Sequence, residues 1–181
     1  MHIEKLANAI DPERVSVDAE DLAAHRFDRW CLKHWQDWQG ETLPTPGCVV
    51  RPETTEEVQA LMRHATEHGI AVIPWGLGSG VCGGIEPSDD QILLDMSAMN
   101  QVIEIDEENL LLTVQAGING LVAEEAVAER GLTMGHWPQS IGISSVGDPF
   151  TLSPLPGTGD WGGMGVVRGM VFEGHRKGER D

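Results

Sequence analysis

The sequence is short of cysteine, of basic residues and of long apolar runs, and each shortage removes a class of protein. Its three cysteines, Cys31, Cys48 and Cys82, form no CxxC pair, and their odd number suits reduced thiols better than a disulfide framework or a metal cluster. Only 12 Lys and Arg stand against 29 Asp and Glu, giving a formal charge of −17 and a sequence pI near 4.6. That is the wrong sign for neutralising the phosphates of a nucleic acid or of an anionic membrane surface, so neither is an expected partner. Charges interrupt every apolar stretch well before the roughly 18 residues that a bilayer span needs. The start, Met1-His2-Ile3-Glu4-Lys5, has no basic stretch leading into an apolar one. A soluble, cytoplasmic protein is expected.

What is present suffices for one domain and a fragment of another. A chain of 181 residues buries about 70% of the surface that its unfolded form exposes, and 40% hydrophobic content supplies a core. No internal repeat occurs. The first 44 residues read as a mostly helical extension: a helix over 3–10, a short strand over 15–17, and a helix over 18–25 capped by Asp18. Trp30, Trp35 and Trp38 follow at spacings of five and three, and core packing is the expected use of these rings, with a lid or a partner-binding surface as the alternative. Pro44-Thr45-Pro46-Gly47 then breaks the chain.

From residue 48 the pattern sharpens. Residues 48–52 form a short strand, and Thr54 or Thr55 caps a helix with Glu56 and Glu57 in its first turn. Val58, Leu61, Met62 and Ala65 share one face of that helix, and Gly69 ends it. Ala71-Val72-Ile73-Pro74 follows as a buried strand, so a strand-helix-strand unit with parallel pairing is expected. Residues 92–95 make another strand. Residues 101–106 and 110–115 read as a hairpin about the turn 106–109. Gly117 leads into an amphipathic helix over 121–130, stopped by Gly131.

Between the second and third of these strands lies the run Gly76-Leu77-Gly78-Ser79-Gly80-Val81-Cys82-Gly83-Gly84. Glycine in quantity costs folding entropy and is useful where the backbone needs positive φ or a close approach. A run that directly follows a rigid strand can aim consecutive amides at an anion, and a pyrophosphate is the natural guest. Each hydrogen bond to a charged group contributes on the order of 1.5 to 3 kcal/mol. Repulsion from scattered surface carboxylates is screened beyond about 8 Å, so the net charge does not veto a nucleotide. Gly78, Gly80 and Gly83 formally satisfy GxGxxG, but Ile85-Glu86-Pro87-Ser88-Asp89-Asp90 is not the helix that the dinucleotide fingerprint requires. No GK followed by Ser or Thr exists, which removes the P-loop.

These segments, with Leu94-Asp95-Met96-Ser97-Ala98-Met99-Asn100, Gln115-Ala116-Gly117 and Pro138-Gln139-Ser140-Ile141-Gly142-Ile143-Ser144-Ser145-Val146-Gly147, stand in an order that resembles flavoproteins of the vanillyl-alcohol oxidase or p-cresol methylhydroxylase type. The flavour is similar to alkyldihydroxyacetonephosphate synthase and to the glycolate and D-lactate dehydrogenases of that group. The resemblance covers about residues 45 to 147. It implies an α+β fold, with a small parallel βαβ subdomain followed by the start of a mixed or antiparallel second one, and FAD between them. It places the FAD pyrophosphate on Pro74, Trp75, Gly76, Leu77, Gly78, Ser79 and Gly80, with Leu77 and Gly80 as departures from the usual loop. The second flavin-contacting segment falls on Pro138, Gln139, Ser140, Ile141, Gly142, Ile143 and Ser144. It implies an oxidoreductase acting on an alcohol or 2-hydroxy acid, or the related alkyl-for-acyl exchange, with a small-molecule substrate and a homo-oligomer as partners. Catalytic residues in that group lie largely in a substrate domain, and none is assigned in this chain. The alternative is a non-catalytic fragment that does not retain FAD.

Covalent flavin attachment through Cys82 is the lesser expectation for a thiol that more often serves as a small buried hydrophobe. His136 and Trp137 precede the second segment, where either could face the flavin; packing is the expected role of Trp137, and for His136 both roles stay open. His64-Ala65-Thr66-Glu67-His68 spells HxxEH, but both histidines are expected at the polar border of their helix, without a clear third ligand. The acidic runs 106–108 and 124–125 read as solvated surface. The last 34 residues change in kind, with eight glycines and three prolines, and carry close to −1 of the total charge. No strand or helix period persists there, and a flexible tail is expected. The resemblance stops after Gly147, which makes a shifted frame or a truncated product the expectation.

Overall fold

The computed structural model describes Leu6, residues 10–135 and 137–147, and the backbone of residues 170–173 and 175–176. Most of the helix expected over 3–10 lies outside these residues. The first sheet runs in the order β1-β2-β4-β3, built from β1 (Val15–Ser16), β2 (Cys48–Val50), β3 (Val72–Trp75) and β4 (Ile92–Asp95). β2 and β3 run parallel as expected, but they do not pair with each other: β4 lies between them and pairs parallel with both, in registers Val49↔Leu93 and Ile73↔Leu93, while β1 adds antiparallel to β2.

The sheet is buried on both faces, and the two-residue period of a strand sorts its side chains between them. Cys48, Val50, Ile92 and Leu94 point to one face and pack with Val58 and Leu61 of the helix α3 (Thr55–His68) and with Leu6, Ile10, Met96 and Met99. Burial pushes the Cys48 thiol up to about 11, so it stays neutral. Val49 and Leu93 point the other way, onto Ile85 from beyond the glycine run and Leu22 from the N-terminal helix α1 (Ala19–Ala24). Ile85 and α1 thus cover the face opposite α3, while Leu6 and Ile10 of the same extension pack on the α3 side.

α3 starts on a capping box. Thr54 Oγ1 accepts from the Glu57 amide at 3.2 Å, and Glu57 Oε2 accepts from the Thr54 amide at 3.1 Å. Two details differ from expectation. Met62 is exposed, and His64 takes a buried place, its ring stacked on His68 with centroids 4.2 Å apart. The strand expected to be buried, β3, is an edge strand with Pro74 exposed. An edge is where a residue without an N–H is tolerated, and the fully buried strands are β2 and β4.

The second part is the expected hairpin, β5 (Val102–Asp106) against β6 (Leu111–Val114), to which β8 (Met170–Glu173) adds antiparallel on the other side of β6. The sequence reading expects no strand in that region. β7 (Leu132–Thr133) pairs with β9 (His175–Arg176). The helix α4 (Gly120–Ala128) is capped by Asn119, whose Oδ1 accepts from the Leu121 amide at 2.9 Å. It closes a core of Leu112, Val114, Ile118, Ala123, Val127 and Ile141. Glu124 is not solvated: it is 2% exposed and accepts from Thr133 Oγ1 at 2.6 Å and the Met134 amide at 2.7 Å. The tryptophans of α2 (Cys31–Trp38) also depart from expectation. Trp35 is 58% and Trp38 74% exposed, their rings paired with each other at 5.1 Å.

Candidate functional site

β3 delivers Pro74 and Trp75 to the rim of the first sheet, and the chain then turns sharply back. Gly78 has φ +64, and a Cβ on it would stand 2.3 Å from the Trp75 indole. Only glycine meets both demands, and the indole therefore lies across the loop. The other edge of Trp75 meets the His25 imidazole, with ring centroids 4.8 Å apart.

His25 belongs to a charged cluster where the parallel strands end. Arg51, just past β2, grips Asp21 with two nitrogens at 2.6 and 2.8 Å and donates from Nε to Asp95 Oδ2 at 2.8 Å. The Arg51 fork holds the Asp21 carboxyl down at about 2. Burial alone pushes Asp95 up, but hydrogen bonds from His25 and the Ser97 amide, with Arg51 beside them, leave it below its ordinary value. Burial likewise opposes the His25 cation, and Asp95 together with the Asp21 carbonyl outweighs it, so this imidazole is raised.

Within the glycine run, the amides of Leu77, Gly78, Val81, Cys82 and Gly83 have no acceptor among the described residues. The Gly84 amide is engaged, donating to Asp28 at 3.0 Å. Cys82 is exposed rather than a small buried hydrophobe.

The second expected segment winds in successive turns, with the Ile141 amide on the Pro138 carbonyl and the Ile143 and Ser144 amides both on the Ser140 carbonyl. The loop before α4 fixes it in place. Asn119 Nδ2 donates to the Gly142 carbonyl at 3.0 Å, and the Gly120 amide to the Ser144 carbonyl at 2.9 Å. Gln139, Gly142 and Ile143 are exposed, Ile141 and Ser144 buried. Trp137 is 60% exposed, against the packing expected of it, and His136 lies outside the described residues.

The two segments meet. Ser144 Oγ donates to Ser79 Oγ at 2.8 Å, across 65 residues of sequence. The junction sets a run of backbone donors and small side chains beside a second turn-rich segment. Such a donor set fits an anionic diphosphate held by main-chain N–H groups rather than by a basic side chain. Three contributors escaped the sequence reading: Asp28, His25 and Asn119. Only Asn119 carries a readable signal, an N-cap residue just ahead of an apolar helical stretch.

Comparison with known proteins agrees with this geometry. An FAD-linked oxidoreductase of Escherichia coli K12, YgcU, itself uncharacterised, is 35% identical over 147 residues, covering 80% of this chain and 30% of its own length. The glycolate oxidase subunit GlcD of Bacillus subtilis 168 is 38% identical over 102 residues, covering 56% of this chain and 22% of its own. A solved structure of alkyldihydroxyacetonephosphate synthase superposes with a TM-score of 0.74 at 28% identity, over 80% of this chain and 27% of that one. The chain thus spans less than a third of the length of the relatives it matches. The family described as "FAD binding domain" matches residues 46–171, a stretch that takes in the parallel unit, the glycine run, the hairpin and the second segment. With well over half its length inside that match and FAD as the cofactor, the chain belongs to the FAD binding domain family.

Proposed function

We propose that residues 74–80 and 138–144 form the FAD site of a flavin-dependent oxidoreductase acting on an alcohol or 2-hydroxy acid, or of an alkylglycerone-phosphate synthase. The pyrophosphate rests on the backbone of Pro74, Trp75, Gly76, Leu77, Gly78, Ser79 and Gly80. Pro138, Gln139, Ser140, Ile141, Gly142, Ile143 and Ser144 pass beside the cofactor. The observation that carries this reading is the Ser144–Ser79 hydrogen bond of 2.8 Å, which joins two segments far apart in sequence. When bound, the flavin supplies the electron acceptance. The chain's own residues hold it: loop amides without an acceptor among the described residues bind the diphosphate, and the Ser79–Ser144 pair keeps the two walls together.

The names of GlcD and of the alkyldihydroxyacetonephosphate synthase support the substrate classes. Among the described residues no helix is long and apolar enough to cross a membrane. The net charge of −17 supports the further reading of a protein free of nucleic acid; a cytoplasmic location, small-molecule substrates and assembly with copies of itself complete the proposal. The test is a titration of the purified chain with FAD. Bound flavin absorbing at about 450 nm is expected, whereas a colourless protein that ignores added FAD sinks the proposal. Bleaching of that band by glycolate or D-lactate under anaerobic conditions selects the 2-hydroxy acid class.

A further inference from the structure

Asp28 belongs to no motif, yet it is 3% exposed and lies where the N-terminal extension crosses the end of the glycine run. Its carboxylate accepts two backbone hydrogen bonds, Oδ1 from the Trp30 amide at 2.9 Å and Oδ2 from the Gly84 amide at 3.0 Å. Further contacts tie the same segment to the run. The Arg29 amide donates to the Gly80 carbonyl at 2.7 Å. A Cβ on Gly80 would stand 2.7 Å from Asp28 Oδ2, and the Trp30 ring lies 2.5 Å from where a Cβ on Gly83 would be.

We infer that Asp28 is a positioning residue for FAD, clamping residues 80–84 so that the amides of the glycine run keep the shape that receives the pyrophosphate. This role rests on the FAD reading given above. The two partners explain why the residue is an acid. Both are N–H donors, so the side chain must accept at each end; a carboxylate does, whereas a carboxamide turns an NH2 toward one of them. The same carboxylate has a rival role, as an anion at the edge of the run that repels pyrophosphate. The geometry favours the clamp, because both oxygens are engaged by amides and the residue is buried.

The two roles predict opposite signs. FAD titrations of the full 181-residue chain, followed by flavin fluorescence, compare the wild type with Asp28→Asn, Asp28→Ala, Asp28→Glu and Asp18→Ala. Asp18 caps α1 in the same extension, accepting from the Glu20 and Asp21 amides, so its loss controls for general loosening. The clamp predicts FAD binding about tenfold weaker in Asp28→Asn and Asp28→Ala, the loss of one hydrogen bond to a charged group. Asp28→Glu recovers part of the affinity, and Asp18→Ala stays within about twofold of wild type on the same reasoning, since it touches no residue of the run. In FAD-free protein, amide hydrogen exchange over residues 80–84 speeds up in the two Asp28 variants that lose the carboxylate and not in Asp18→Ala. Where Asp28→Ala fails to fold by circular dichroism, the isosteric Asp28→Asn carries the test. Asp28→Asn binding as tightly as wild type or tighter, or unchanged exchange over 80–84, overturns the role. A wild-type chain that takes up no FAD overturns the parent reading, and this role with it; wild-type binding with Asp28→Asn unaffected overturns the role alone.

Discussion

At Gly78 a single hydrogen atom in place of a methyl group decides the path of the loop. Gly78→Ala combines a left-handed backbone with a clash against Trp75, a cost of about 1–3 kcal/mol. It is expected to lower the thermal midpoint by several degrees and to weaken FAD binding, both readable in one melting series with and without FAD. The Arg51 cluster makes stability depend on pH on two sides. Asp21, held at about 2 in the fold against 3.8 as its ordinary value, contributes stability that is complete above pH 4 and is lost as pH falls toward 2, about 2 kcal/mol in all. Asp95, also lowered, acts in the same direction. His25 is raised, so its contribution is complete below its ordinary value of 6.5 and fades as pH climbs through the higher folded value. Urea unfolding across this range is expected to show a maximum between the two limbs, and Arg51→Gln to flatten the acid one.

Elements depend on which groups meet them, and this is where the sequence was legible and where it was not. The α3 cap could be read because all its atoms lie within four residues. Thr54→Ala is expected to cost about 1 kcal/mol, as a shift in denaturation midpoint without a change of slope. The strands could be recognised from their apolar runs, but not the place of β4 between β2 and β3, because an apolar run does not say whether a strand is central or at an edge; Pro74 was the available sign for β3. Glu124 could not be read, since its partners are a hydroxyl and an amide on the far side of a turn. Glu124→Gln leaves one of those donors facing an NH2, and a loss of about 1–2 kcal/mol is expected in equilibrium unfolding. Asp28 was illegible for the same reason at greater range: its partner in the run lies 56 residues away, and no local period marks such a contact.

Taken whole, the described residues form three apolar clusters, and a hydroxyl-to-hydroxyl hydrogen bond joins the two segments proposed to hold FAD. FAD at a hundred times its dissociation constant is expected to add about 2.7 kcal/mol to the unfolding free energy. Hydrogen exchange is expected to slow together over residues 76–84 and 138–146; slowing confined to one segment would separate them. The acidic surface, −17 over the chain, adds a second expectation. Raising salt screens its repulsion of a doubly charged diphosphate, so affinity is expected to rise modestly rather than fall.

The edge strand β3 holds one more consequence, for how the protein behaves in a crowd. A sheet margin is a template on which a neighbouring chain can lay down another strand, and fibrous association begins there. This margin is only four residues long, and its third residue, Pro74, has no hydrogen to offer an incoming carbonyl. Sheet growth is expected to stall at the lip of the glycine turn, which keeps a stray polypeptide away from the proposed FAD site.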